Sequence, residues 1–186
     1  MKRALIFIFL LISLQPVVAD GDRTCTHWPA WSAHACHRLH QIWKEGDTEL
    51  YVTGYSWHNR YSYPKEKLSR YNELAWGGGL GKGFYDEDGD WHGISAFAFL
   101  DSHKNLEPVV GYAFLKIAHL NENTRVGAGY SVLITQRRDI LHGIPFPGAL
   151  PWLSFNYRKV ALFATYIPGS RGEIGNVVFL FAKWTI

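Results

Sequence analysis

From Thr48 to the C-terminus the chain carries no long helical pattern. It carries a succession of short apolar segments separated by turn residues. Eight read as strands: Glu49 to Trp57, Trp76 to Tyr85, Trp91 to Leu100, Val109 to Ile117, Thr124 to Thr135, Leu150 to Tyr157, Val160 to Ile167 and Ile174 to Trp184. Asp86-Glu87-Asp88-Gly89-Asp90 is a hairpin turn signal, and His119 to Asn123 and Arg158-Lys159 are similarly short. The connections at His58 to Ala75, Asp101 to Pro108, Gln136 to Ala149 and Pro168 to Glu173 are mostly longer. One tight rim and one loose rim, with an even strand count that lets every edge pair, is the pattern of a transmembrane β-barrel. The expected fold is all-β, an eight-stranded antiparallel barrel over about residues 48–186.

Strand periodicity supports this. Val126, Ala128, Tyr130, Val132 and Ile134 make one apolar face suited to lipid, and Gly127, Gly129 and Ser131 make the other. Val110, Tyr112 and Phe114 alternate in the same way with Gly111 and Ala113. Small inward residues either leave a cavity or relieve barrel curvature. Near Phe97 and Leu133 the inward positions are apolar, so a cavity there would suit a hydrocarbon chain. The aromatic share of 16%, with eight Trp and ten Tyr, suits a lipid–water boundary.

Ahead of the barrel, Pro29 opens a helix expected over about 29–45, ended by Gly46. Trp28, Trp31, Ala35, Leu39 and Ile42 form an apolar stripe, and His34, His37, Arg38, Gln41 and Lys44 lie mostly opposite. That composition suits an amphipathic helix in a membrane interface, and equally a surface helix on a soluble core. The histidine cluster His27, His34, His37 and His40 reads as solvated, so no metal site is expected. Cys25 and Cys36 can bridge only if Cys25 precedes the helix, since eleven residues of straight helix separate them by roughly 16 Å.

The first nineteen residues read as a signal peptide: Lys2 and Arg3, the apolar run from Ala4 to Leu14, then Val17-Val18-Ala19. Cleavage near Ala19 leaves residues 20–186 as the mature domain. The whole chain has 19 Lys and Arg against 16 Asp and Glu, and the leader holds two of the bases and no acid. The mature chain is therefore near neutral, which argues against nucleic acid as a partner.

Three residues at the loose rim can do chemistry. His58 opens the first long loop, and Asp101 and Ser102 open the second. Histidine moves protons near neutral pH, and serine becomes a nucleophile beside such a base. Adjacent strand residues face opposite sides, however, so Asp101 and Ser102 can both meet His58 only where the backbone bends. Without that bend, Asp101-Ser102 reads as a turn start.

The strings Trp57-His58, Lys65-Glu66-Lys67, Arg70-Tyr71-Asn72-Glu73, Trp76-Gly77-Gly78-Gly79, Trp91-His92-Gly93, Asp101-Ser102, Glu107-Pro108, Gly111-Tyr112, Tyr166-Ile167-Pro168-Gly169 and Gly175-Asn176-Val177 occur in order along the chain. In them the chain resembles the lipid A palmitoyltransferase family of PagP type over nearly its whole mature length. The resemblance implies an outer-membrane barrel that moves a palmitoyl chain, or one close in length, from the sn-1 position of a phospholipid to lipid A, without a cofactor. It implies that His58, Asp101 and Ser102 are the essential residues, with His58 as base, and that Arg138 supports them. It implies a pocket floor at Ala113, where members often carry glycine; the extra methyl should shorten the preferred chain by about one carbon. Pro151 and Pro168 match a lipid-access gap between the sixth and seventh strands. A second gap, between the first two strands, carries prolines in the family, and here those positions are Thr53 and Ala75. The protein is expected to work as a monomer or homodimer. Two other readings compete. A non-enzymatic barrel that binds lipid or host surfaces would fill its interior with polar pairs. A soluble esterase would need a Gly-x-Ser-x-Gly elbow, which the sequence lacks.

Overall fold

The computed structural model describes residues 25–169 and 175–186. The leader expectation, and the beginning of the last segment at Ile174, lie outside the described residues. Eight strands form a closed antiparallel barrel in sequence order: β1 (Asp47–His58), β2 (Leu74–Tyr85), β3 (Trp91–Leu100), β4 (Leu106–His119), β5 (Thr124–Thr135), β6 (Phe146–Tyr157), β7 (Val160–Ile167) and β8 (Val177–Thr185). Closure comes from β1 pairing β8, from Glu49↔Thr185 to His58↔Val177. A closed ladder leaves no open edge, which is what hydrocarbon requires of a spanning sheet. No described helix is long and apolar enough to cross a membrane.

The outer surface is apolar. Leu80, Val110, Ile134, Leu153, Leu162 and Leu180 are exposed on strands that run through the middle of the barrel wall. Exposed large apolar side chains spread over successive strands of a closed barrel make a lipid-facing surface. The anticipated outward set on β5, including Tyr130, Val132 and Ile134, lies on it.

Inside, the two ends differ. Toward the tight turns the interior is filled by Tyr51, Trp91, Leu115 and Phe163 around a buried Glu49–Lys183 pair. The inward glycines mark close approach rather than empty space. A Cβ on Gly93 would lie 2.4 Å from the Trp91 ring, and one on Gly79 would lie 2.4 Å from the Phe97 Cβ. Gly111, Ala113, Gly127, Gly129 and Ser131 do not line the interior cavity described below. Small residues on some strands accommodate large ones on their neighbours.

Two compact units divide the chain, up to His37 and from Arg38 onward. In the first, Cys25 sits in a turn ahead of the helix, where Trp28 N–H donates to its carbonyl, and Cys25 is disulfide-bonded to Cys36. The chain thus adopts the arrangement in which a bridge can form. Helix α1 (Ala30–Glu45) begins one residue after Pro29, whose carbonyl accepts Ser32 and Ala33 N–H. Trp31 is 85% exposed, and Leu39 and Trp43 are exposed as well. Ile42, expected on the same stripe, is instead fully buried, and Trp43 takes the exposed place. Within the second unit Arg38 reaches Asp86 at 3.8 Å, and Lys82 Nζ donates to the Gly46 carbonyl at 2.7 Å.

Candidate active site

The loose rim gathers the chemistry. His58 ends β1, and its pairing with Val177 fixes its backbone. β3 stops at Leu100, and the chain then bends. Asp101 N–H donates to the Asn105 carbonyl, Lys104 N–H donates back to the Asp101 carbonyl, and Lys104 takes a left-handed φ of 62°. The Asp101 carboxylate sits inside this bend and accepts His103 N–H at 2.8 Å and Asn105 N–H at 2.7 Å. Because Ser102 lies on the bend and not on a strand, strand alternation no longer separates it from His58. Its Oγ stands 2.8 Å from His58 Nε2. Asp101 therefore shapes the loop that presents Ser102, with both carboxylate contacts given to backbone.

The other ring nitrogen of His58 faces a residue that the sequence did not single out for chemistry. Glu73 Oε1 lies 3.4 Å from His58 Nδ1 and accepts His58 backbone N–H at 3.3 Å. Glu73 Oε2 accepts Arg60 Nη2 at 2.6 Å and Tyr55 OH at 2.9 Å. Partial burial pushes the Glu73 carboxyl up, but the hydrogen bonds from Arg60, Tyr55 and His58 N–H outweigh it and hold the group below the usual range. Tyr71 and Tyr63 pack on the His58 ring at centroid distances of 4.8 and 5.8 Å. His58 is only 2% exposed. Asn72 N–H donates to the Ser102 carbonyl at 2.9 Å, which ties the first long loop to the second.

Beneath this constellation lies a cavity of about 320 Å³, near the small end for ligand pockets. Its mouth includes His58, Ser102, Tyr71 and Arg137, its walls include Val109, Leu133 and Leu150, and its closed end includes Phe97, Trp152 and Phe181. On β4 the wall stops at Val109. Ala113, four residues farther from the mouth, is buried in the aromatic core outside the cavity wall. Arg138 is exposed and donates to Asn105 Oδ1 at 3.5 Å, whereas its neighbour Arg137 lines the cavity, 3.6 Å from Glu107 and 2.8 Å from Asp139. Arg137 holds the Asp139 carboxyl below its ordinary value.

One seam of the barrel is paired over a shorter stretch than its neighbours. β6 pairs β7 only from Trp152↔Thr165 to Tyr157↔Val160, although β6 continues to Phe146 on β5. Pro151 stands at the break, its carbonyl accepting Thr165 Oγ1 at 2.8 Å, and Pro168 lines the cavity on the far side. The β1–β2 seam is closed. Its ladder runs from Asp47↔Gly83 to Tyr55↔Leu74 across one bulge, and Thr53 Oγ1 donates to the Ala75 carbonyl at 2.6 Å.

A histidine beside a hydroxyl, at the mouth of a pocket with largely apolar walls, is an arrangement suited to ester chemistry. Residues 38–183 match the family described as antimicrobial peptide resistance and lipid A acylation protein PagP. Lipid A acyltransferase PagP of Bordetella bronchiseptica is 53% identical over 182 residues, covering 98% of this chain and 96% of that protein. The proteins of the same name from Legionella longbeachae and Legionella pneumophila are 53% and 48% identical, covering 91% and 98% of this chain and 74% and 98% of their own lengths. By the family match and by these relatives, the chain belongs to the PagP family.

Proposed function

We propose that this chain is an outer-membrane acyltransferase that moves a fatty acyl chain, palmitoyl or close to it in length, from the sn-1 position of a phospholipid to a hydroxyl of lipid A. The 2.8 Å contact between His58 Nε2 and Ser102 Oγ carries the reading, because it sets a base against a hydroxyl at the mouth of a hydrocarbon pocket. The family's activity, lipid A acylation, supports the acceptor, and the exposed apolar belt supports the membrane. The leader expected over residues 1–19 would deliver the chain across the inner membrane, with cleavage near Ala19. The exposed stripe of Trp31, Leu39 and Trp43 suits α1 to the lipid–water boundary.

In this reading the donor's acyl chain slides through the β6–β7 seam, between Pro151 and Pro168, and its tail meets Phe97, Trp152 and Phe181. His58 takes the Ser102 proton as Oγ attacks the ester carbonyl. The C–O bond to glycerol breaks, and His58 returns the proton to the departing glycerol oxygen, leaving lysophospholipid and acyl-Ser102. The lipid A hydroxyl then attacks that ester and gives its proton to His58, which passes it to Ser102 Oγ. No atom changes oxidation state, so the chemistry needs no redox group. Asp101 serves by holding the Ser102 loop. Arg138 acts at the rim of the same loop through Asn105, and Ala113 limits chain length from behind the aromatic layer.

The test is reconstitution of the purified full-length mature barrel in detergent with lipid A and a phospholipid whose sn-1 and sn-2 chains carry different isotopes. Transfer of the sn-1 label to lipid A is expected. Transfer of the sn-2 label would reverse the donor assignment. A folded barrel that binds both lipids and transfers neither label would make it a lipid-binding barrel instead.

A further inference from the structure

The geometry points to Glu73 as the positioning residue that orients His58; this role rests on the reaction proposed above. Imidazole can accept a proton at Nε2 only if its other nitrogen carries the hydrogen. Among the described residues, the carboxylate beside Nδ1 is that of Glu73, at 3.4 Å. Asp101 makes its contacts with the backbone N–H groups of His103 and Asn105. Glu73 accepts the Nδ1 hydrogen, directs the Nε2 lone pair at Ser102 Oγ, and stabilises the imidazolium that forms when Ser102 is deprotonated.

The carboxylate is itself held on several sides. Its Oε2 takes Arg60 and Tyr55, and its Oε1 takes the backbone N–H of His58, the residue it orients. Ser56 N–H donates to the Glu73 carbonyl at 2.9 Å, so β1 also fixes the Glu73 backbone. Tyr71 and Tyr63 constrain the imidazole plane from the ring side. Arg60 offsets part of the Glu73 charge, so the residue is expected to matter less than a fully buried triad carboxylate.

The experiment compares wild type, Glu73→Gln, Glu73→Asp and His58→Ala as detergent-solubilised full-length barrels. Folding is checked by the heat-dependent gel shift of intact barrels, and kcat and KM are measured from acid to alkaline pH. Glu73→Gln is expected to lose about 100-fold in kcat with KM little changed. The acid limb of its profile is expected to move to lower pH, because the neighbouring anion that favours imidazolium is gone. Glu73→Asp, which keeps the charge on a shorter arm, should recover part of the loss. A folded Glu73→Gln with full activity, or with a loss but an unmoved acid limb, overturns the positioning role in any preparation where His58→Ala is inactive. A fully active His58→Ala overturns the reaction itself and this role with it.

Discussion

The two ends of the barrel interior are built from the same strands and do opposite things. At the tight-turn end the buried polar side chains partner one another. Glu49 takes Lys183 Nζ and Trp91 Nε1 on one oxygen and Tyr51 OH on the other, and Lys183 lies over the Trp91 ring at 4.1 Å. At the loose-loop end the walls are largely apolar and enclose a cavity, and the polar groups gather at the mouth. The side chains that point inward decide which end is a plug and which is a site. The seams repeat the contrast. Thr53 bonds across β1–β2 where the β6–β7 ladder has lost its upper half.

Changes at the mouth should abolish chemistry and leave the barrel standing. Ser102→Ala is expected to lower kcat about a thousandfold, or ~4 kcal/mol of transition-state stabilisation, with an unchanged unfolding midpoint in urea. Changes in the plug should do the reverse. Lys183→Met leaves the Glu49 carboxylate buried without its cation and should cost about 3 kcal/mol of stability, read by urea unfolding in micelles, while the folded fraction keeps its turnover. Loss of activity in the folded Lys183→Met barrel would erase the functional distinction between the ends.

Between the two, Val109→Phe puts a ring at the last β4 position of the cavity wall, and overpacking of this kind costs about 1–3 kcal/mol. It should shift the preferred donor to a chain shorter by several carbons, measured by competition among phospholipids of graded length. Ala113→Gly removes a methyl behind that wall and should change the preference by one carbon at most. A larger change at Ala113 than at Val109 would mean the chain reaches past the aromatic layer. The smallest effect concerns acid. The Glu73 carboxyl is depressed in the folded protein, so its contribution is present above the unfolded value of about 4.3 and is lost as pH falls through its lower folded value. Limited proteolysis should therefore find the loop that follows His58 protected at pH 5 and cut progressively at more acid pH.

Much of this was legible in the residues. β5 carries alternation between turn residues, and the ends of both β3 and β5 match the expectation. β6 begins at Phe146, four residues ahead of the expected Leu150. The Pro151 carbonyl faces the side of β7, where the backbone ladder is absent, so the missing N–H costs nothing there. In the site, His58 and Ser102 were visible as reactive types at loop starts. The bend that turns Ser102 toward His58 was not, since it depends on hydrogen bonds within Asp101–Asn105. Glu73 was hidden by sequence distance, although the β1–β2 hairpin register brings the end of one strand beside the start of the next. That Arg137 and not Arg138 faces the cavity is a matter of one residue's direction just beyond β5, where alternation no longer speaks.

The most direct measurement is mass spectrometry of lipid A from cells making this chain, beside cells making His58→Ala at equal outer-membrane level. The account expects lipid A to gain the mass of one long acyl chain with the wild type and to be unchanged with His58→Ala. The same added mass from His58→Ala would contradict it.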